Sequence, residues 1–367
     1  MNLRLVCRML GVVAMLIGGT MVFSLPWAHP SLGHRGEMAV NASFETRGFL
    51  ALLISILLSF ALGSILLWLG RGQKGRLYRK EAMAVVGLSW ILATLLGALP
   101  FCLRGTYRSP AVRETVDLTI WQVYDYGTLV HHRWRAKTEL STDEQAILKA
   151  LLDVGAKGHS LNTLRAKSNV EEPDSVLINL AKRDHDWQAV LLFPVSGATP
   201  GSRESNYRFR WVKMGFVDSL FESQSGFSTT GATVISDLED PILIPHCLLF
   251  WRSSTHFLGG LGIIVLFVAI LGQGSAGKAL MRNEMPGPSK EGMQARMQHT
   301  AWVFAAIYCA LNVLLTVILK TQGLSWFDAI CHAFGTLATG GFSTWNESLG
   351  HFDSAVIEYT VTIFMIL

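Results

Sequence analysis

Charge is almost absent from five stretches of the chain: Leu5–Leu25, Phe49–Leu69, Ala82–Leu103, His246–Leu271 and Ala301–Leu319. A bilayer core is about 30 Å thick, so an apolar run of about 20 residues is the length of one spanning helix. A sixth run begins at Ala355 and reaches Leu367 after thirteen residues, fewer than a span needs. The pattern predicts an all-α membrane protein. The fourth run carries Arg252 and His256 near its start. Its first turns are therefore expected at an interface, with Arg252 snorkelling toward the headgroups. The first run follows Arg4 and Arg8 as a signal peptide would, but it ends in "LPWAHPSLG", a poor small-residue cleavage site. It reads as a retained helix.

Arg104 to Lys213 breaks this pattern. The segment is charged, carries aromatic stretches ("TIWQVYDYG", "HHRWR"), and reads as an insert of uncertain fold. One amphipathic helix is expected over Ser141–Leu152, where Ser141 and Glu144 have the spacing of a capping box. "EEPDSVLINLAKR" suggests a second, shorter helix. His131 and His132 have no third ligand at useful spacing and read as surface residues. "NAS" at Asn41 is a glycosylation sequon by pattern only.

With the insert set aside, a repeat appears. "GFVDSLFESQSGFSTTGATVISD" precedes one apolar helix, and "SWFDAICHAFGTLATGGFSTWNE" precedes another. Each copy has an aromatic, an Asp (Asp218, Asp328), two to three turns of apolar-rich helix, then Thr-Gly and a polar return. Aligning the two Thr-Gly pairs requires a one-residue gap. Each copy also follows an apolar helix, so the unit reads as span, pore loop, span. About 11 residues cannot cross a bilayer, and irregular backbone at that depth survives only where it lines a watery or protein-enclosed cavity.

Such a loop suits a cation. Asp218 and Asp328 are expected to be the N-caps of the two short helices, whose partly negative carboxyl ends would then face the cavity. The Thr-Gly backbone offers carbonyl and hydroxyl oxygens that can replace an ion's hydration shell. Carboxylates, which a hard divalent ion would favour, are missing beside both pairs, so the expected ligand is a monovalent cation. Glu222 and His332 stand four residues after their Asp and read as supports for the short helix or the back of the loop. Gly259, Gly260 and Gly262 in "WRSSTHFLGGLGIIVL" should let another helix or a loop approach that span closely.

Composition narrows the function classes. The chain has 50% hydrophobic and 16% charged residues and a net charge of +4. The basic residues gather in Arg71–Glu81 and Lys278–Arg296, whereas Pro26–Thr46 has one base and two acids. By the positive-inside rule the N-terminus and the 71–81 loop are cytoplasmic and the insert is extracytoplasmic. The net charge thus reflects topology, and nucleic-acid binding is not expected. Cys7, Cys102, Cys247, Cys309 and Cys331 show no pairing or ligand spacing and read as packed thiols. No enzymatic role and no cofactor are expected. A rival reading gives the function to the insert, as an envelope sensor or binding protein on a non-conducting membrane anchor.

"FESQSGFSTTGAT", "WRSSTHFLGGLGIIVL" and "HAFGTLATGGFST" together closely resemble the TrkH/KtrB/HKT superfamily of potassium transporters, bacterial TrkH-like members most of all. "LSWILATLLGALPF" resembles the first helix of that family's first repeat, and the two helices before it its extra N-terminal pair. The resemblance implies four span–loop–span repeats around one potassium pore in the cytoplasmic membrane. It makes Thr229, Thr230 and Gly231 the first filter strand, and Ala338, Thr339 and Gly340 the second. A glycine at Gly231 goes with potassium preference in the family. Homodimers and a cytoplasmic nucleotide-binding partner of the TrkA/KtrA type are also implied.

The implied organisation is an N-terminal helix pair (1–81), the first span of repeat 1 (82–103), the insert (104–213), the pore loop and second span (214–273), a cytoplasmic loop (274–299) and repeat 2 (300–367). The insert departs from the family pattern, which has a short connection there. Repeats three and four do not occur before Leu367, so the chain reads as an N-terminal half, truncated in the last span of repeat 2.

Overall fold

The computed structural model describes residues 2–33, 44–72, 79–105, 107–108, 112–114, 120–124, 134–154, 159–183, 191–192, 194, 206–209, 212–235, 238–239, 244–271 and 290–366. Asn41, His131, His132 and most of both basic loops (73–78, 272–289) lie outside the described residues.

In chain order the elements begin with α1 (Leu3–Met21), a 3₁₀ segment (Val22–Ala28), α2 (Pro30–Gly33), α3 (Thr46–Leu69) and α4 (Arg79–Pro100). Next come β1 (Tyr107–Arg108), β2 (Val112–Glu114), β3 (Ile120–Tyr124), β4 (Trp134–Glu139), α5 (Thr142–Val154), α6 (Leu161–Ser168) and α7 (Pro173–Arg183). Then follow β5 (Leu191–Leu192), β6 (Arg208–Phe209), β7 (Val212–Lys213), α8 (Phe216–Phe227) and α9 (His246–Leu271). The last are α10 (Lys290–Thr321), α11 (Trp326–Leu337) and α12 (Ala355–Ile366).

Each predicted span is helical. Among the described residues, four helical segments are long and apolar enough to cross a membrane: Leu3–Ala28, Thr46–Leu69, Met83–Leu103 and Ala301–Thr321. The protein is an integral membrane protein, and α9 adds a continuous helix of 26 residues.

The chain divides into two compact units. The first comprises Met1–Arg104, Leu220–Thr233 and His246–Leu367. Its N-terminal helices pack closely through small residues: a Cβ on Gly11 would stand 2.9 Å from the Gly63 carbonyl oxygen and the Leu67 backbone. In lipid, where apolar side chains gain little by meeting each other, such backbone proximity supplies the packing. On α3, Ser55 and Ser59 return their hydroxyls to carbonyls one turn back, at 2.7 and 2.8 Å, so neither is left unpaired. Trp27 stacks on Phe250 and meets Phe327 edge-on, both at 5.1 Å, joining the 3₁₀ segment to α9 and α11.

Glu45, just before α3, caps α9 across 201 positions of sequence. Its carboxylate accepts the backbone N–H groups of His246 (2.9 Å) and Cys247 (3.2 Å) and bonds the His246 ring at 2.9 Å. An acid at a helix N-terminus satisfies orphan donors and meets the positive dipole end. Glu45→Ala should therefore cost about 1–2 kcal/mol, read as a lower melting temperature of the purified protein in detergent, with Glu45→Gln losing less.

The second unit comprises Gly105–Ser219 and Val234–Pro245. The capping box forms as expected: Ser141 N–H donates to Glu144 Oε2 (2.7 Å), and Glu144 N–H to Ser141 Oγ (3.3 Å). Ile147, Leu148 and Leu151 then bury one face of α5 with Leu164, Leu177 and Leu180 of α6 and α7. α7 is the expected shorter helix. α6 was not predicted; Ser160 caps it, and Asn169 ends it at φ 56.

The strands were not predicted either. β2, β3 and β4 form an antiparallel meander, β5 pairs with β6, and His159 bridges Tyr207. β1 pairs antiparallel with β7, Tyr107 opposite Lys213, so the insert's two ends meet. The all-α expectation thus describes the membrane helices and not the insert.

Candidate functional site

The two repeat loops have the same backbone. α8 and α11 are both 12 residues long. Beyond α8, the N–H of Thr229 bonds the Gly226 carbonyl (3.0 Å) and that of Thr230 bonds Ser225 (2.9 Å). Beyond α11, Thr339 bonds Thr336 (2.9 Å) and Gly340 bonds Gly335 (2.8 Å). Each is a Schellman ending, in which the residue after the helix turns left-handed. That residue is Thr229 (φ 54) and Thr339 (φ 50), with Gly231 (φ 76) and Gly341 (φ 84) two places on.

The repeat therefore runs at a constant offset of 110 (Thr229 to Thr339, Gly231 to Gly341), without the expected gap. Gly231 corresponds to Gly341, not Gly340. The Thr-Gly letters do not mark equivalent places in the two loops, because position after the helix end, rather than residue type, sets the backbone angles.

A β-branched residue in left-handed conformation costs about 1–2 kcal/mol, and helices usually place glycine there. Two threonines at the matched position point to a use for the one group glycine lacks there, the side-chain hydroxyl. Thr339→Gly should raise thermal stability by about 1 kcal/mol while lowering cation flux, measured on one preparation by unfolding and by transport.

The Asp residues do not occupy the N-caps. Ser325 is the N-cap of α11: its hydroxyl accepts the Asp328 N–H (3.0 Å) and donates to Asp328 Oδ2 (2.7 Å). Asp328 Oδ1 also accepts the Thr344 hydroxyl at 2.6 Å, tying the returning chain to the helix start. Asp218 likewise stands at the third helical position, where Oδ2 accepts the Gly215 N–H at 3.1 Å. Both carboxylates reach back from inside the first turn, as the acid of a capping box does.

The loops meet each other and α9. A Cβ on Gly231 would stand closer than 3.0 Å to the Gly340 carbonyl oxygen. One on Gly340 would overlap the His256 ring, and one on Gly259 would meet the Phe227 carbonyl oxygen. Gly260 faces the Tyr308 hydroxyl and the Ala338 side chain. Gly259 and Gly260 thus admit the loops as expected, while among the described residues Gly262 has only Trp90 near it, at 3.9 Å. Ala338 and Gly340 are buried; Thr230, Thr339 and Gly341 are exposed, and Thr229 and Gly231 are half-buried. Ser228 and Thr230 share a hydroxyl hydrogen bond of 2.7 Å. Among the described residues no three His, Cys, Asp or Glu side chains gather as a metal site. The oxygens on offer at the loops are carbonyls and hydroxyls.

Arg252 does not snorkel. It is 2% exposed, and its Nε donates to Glu222 Oε1 at 2.6 Å. Its Nη1 donates to the Ser343 carbonyl at 3.0 Å, and its guanidinium carbon lies 3.5 Å from the Phe342 ring centre. A buried partner outweighed the headgroups. An ionisable residue within an apolar run, with an acid in a neighbouring membrane segment, was the signal available for it. Phe342, Gly341 and the Ser343 carbonyl were not anticipated. Glu222 and His332 stand where support was expected: Glu222 accepts the Thr233 hydroxyl at 2.9 Å, and His332 Nε2 lies 3.5 Å from Thr344 Oγ1.

Residues 190–367 match the family model TrkH, described as a cation transport protein. Over those residues, the chain resembles the TrkH family. The Trk system potassium uptake protein TrkH of Halomonas elongata is 45% identical over 153 residues, which are 41% of this chain and 31% of that protein. TrkG of Escherichia coli is 39% identical over 179 residues, 48% of this chain and 35% of that protein.

The crystal structure of the potassium transporter TrkH from Vibrio parahaemolyticus superposes with a TM-score of 0.55 and 21% identity. It covers 99% of this chain and 49% of that one, so the two share a fold. The chain thus spans about half the length of that structure and aligns with about a third of the length of the curated relatives it matches.

Proposed function

We propose that this chain contributes to potassium uptake across the cytoplasmic membrane, through a pore whose selectivity filter is backbone oxygen. The observation that carries the reading is the meeting of two geometrically equivalent loops at Gly231 and Gly340 within the membrane unit. Each follows a short helix too short to span, and each offers uncharged oxygens that suit a weakly hydrated monovalent cation.

The filter strands are Thr229, Thr230 and Gly231 with Thr339, Gly340 and Gly341, and Ala338 supports the second from behind. In this reading 104–213 is the insert, and α8 and α11 are the pore helices. The N-terminus faces the cytoplasm and the insert faces outward, by the charge of the connecting loops. A homodimer and a TrkA/KtrA-type cytoplasmic partner belong to the same reading.

The order α5, His159 bridge, α6, α7, β5, β6 is the connectivity of a winged helix, and we read that part of the insert so. Expression of the complete gene in a bacterium lacking potassium uptake tests the transport reading. Growth at limiting potassium is expected; no growth despite verified membrane insertion would reject it.

A further inference from the structure

One buried ion pair touches both loops, and it does so at matched positions. In the first loop, Glu222 Oε1 and Oε2 accept the Thr233 hydroxyl at 2.9 and 3.1 Å. Glu222 then pairs with Arg252 of α9 at 2.6 Å, and Arg252 donates onward to the Ser343 carbonyl of the second loop at 3.0 Å. At the offset of 110, Thr233 and Ser343 are the same place in the two repeats. The returning strand of each loop is thus held by one half of a single ion pair. Both side chains are almost fully buried, Glu222 at 1% and Arg252 at 2% exposed.

We propose that Glu222 and Arg252 are positioning residues for ion selectivity: the pair sets the spacing between the two loops, and so the ion size their oxygens fit. The inference rests on the ion-filter reading above. Desolvating two charges is expensive, and apolar packing of similar volume is often as stable. Stability alone therefore does not account for the pair, whereas a fixed geometry does. Arginine suits the task because its planar fork donates in two directions at once, which a lysine ammonium on a flexible stem does less rigidly. The Phe342 ring, against the guanidinium at 3.5 Å and stacked on His256 at 4.1 Å, holds the fork in place. The second repeat has no equivalent carboxylate. His332 stands at the place of Glu222, and Asp328 instead holds Thr344. The first repeat's pair therefore serves both loops.

The test compares Arg252→Lys, Glu222→Gln and Thr233→Val in protein expressed from the complete gene, at matched membrane levels. Arg252→Lys keeps the charge but not the fork; Glu222→Gln keeps the shape but not the charge. Thr233→Val leaves the ion pair and frees the first loop's return. Potassium-over-sodium preference should fall about tenfold in the first two, the equivalent of about 1.4 kcal/mol, and by less in Thr233→Val. The potassium KM should rise with the maximal rate largely kept, a split that simple loss of folded protein would not produce. Unchanged ion preference in Glu222→Gln and Thr233→Val would overturn the inference, even if Arg252→Lys failed to reach the membrane. Wild-type protein carrying potassium beside such unchanged variants rejects only the positioning role; wild-type protein carrying none rejects the ion-filter reading itself.

Discussion

Gly231→Ala is expected to abolish potassium-dependent growth while leaving the protein inserted in the membrane. Two independent effects act at this position. The backbone holds φ 76, a region costly for any residue with a side chain. The new methyl would also stand closer than 3.0 Å to the Gly340 carbonyl oxygen and 3.1 Å from the carbonyl carbon. Both neighbours are backbone, so no side chain can rotate away, and the loops must separate. Carbonyls that replace a hydration shell act only at the right distance, so even a small separation should weaken potassium binding. Growth across a potassium series, with membrane protein quantified by immunoblot, measures this. Gly231→Ser should behave similarly and shift any residual flux toward sodium. Wild-type growth and ion preference in both variants would contradict the assignment.

Gly340→Ala should be nearly as damaging, and for a reason that can be relieved. Its methyl would overlap the Nδ1, Cε1 and Cγ atoms of His256. That ring is fully buried and stacked on Phe342 at 4.1 Å, so it cannot swing aside. Removing the ring should restore part of the lost transport: Gly340→Ala with His256→Ala is expected to grow better at limiting potassium than Gly340→Ala alone. Restoration should be incomplete, because deleting a buried ring leaves a cavity costing about 3 kcal/mol. The same His256→Ala change should not rescue Gly231→Ala, whose obstruction is backbone. Equal rescue of both variants, or of neither, would count against the packing described for the two loops.

The spans were legible because lipid imposes a simple rule: a helix must present about 20 apolar residues or fail to cross. The capping box of Ser141 and Glu144 was legible for a similar reason, since both partners lie within one turn. Features that depend on distant partners were not. Arg252 looked like a headgroup anchor because Glu222 is 30 positions away, and only the packing of α8 against α9 brings the carboxylate to it. Asp218 and Asp328 are legible as helix-start residues, but each stands at the third helical position and not at the N-cap expected of it, because the true N-cap of α11 is the less conspicuous Ser325. The one-place slip between Gly340 and Gly341 arose because the bonds from Thr230 to Ser225 and from Gly340 to Gly335, which fix the register, leave no mark in residue type. In the insert, "TIWQVY" lacks alternation of apolar and polar residues, whereas "WRAKTE" alternates Trp134, Ala136 and Thr138 with three charges, a strand signal that passed unread.

The central claim, that the two loops form walls of a potassium-selective path, is tested most directly by cation flux into liposomes. Protein purified from the complete gene would be reconstituted beside its Gly231→Ala variant at equal density, with inward potassium or sodium gradients. Potassium entry well above sodium entry in the wild type, with potassium flux lost in the variant, is the expected result. Equal entry of both ions in the wild type, or unchanged potassium flux in Gly231→Ala, would contradict it.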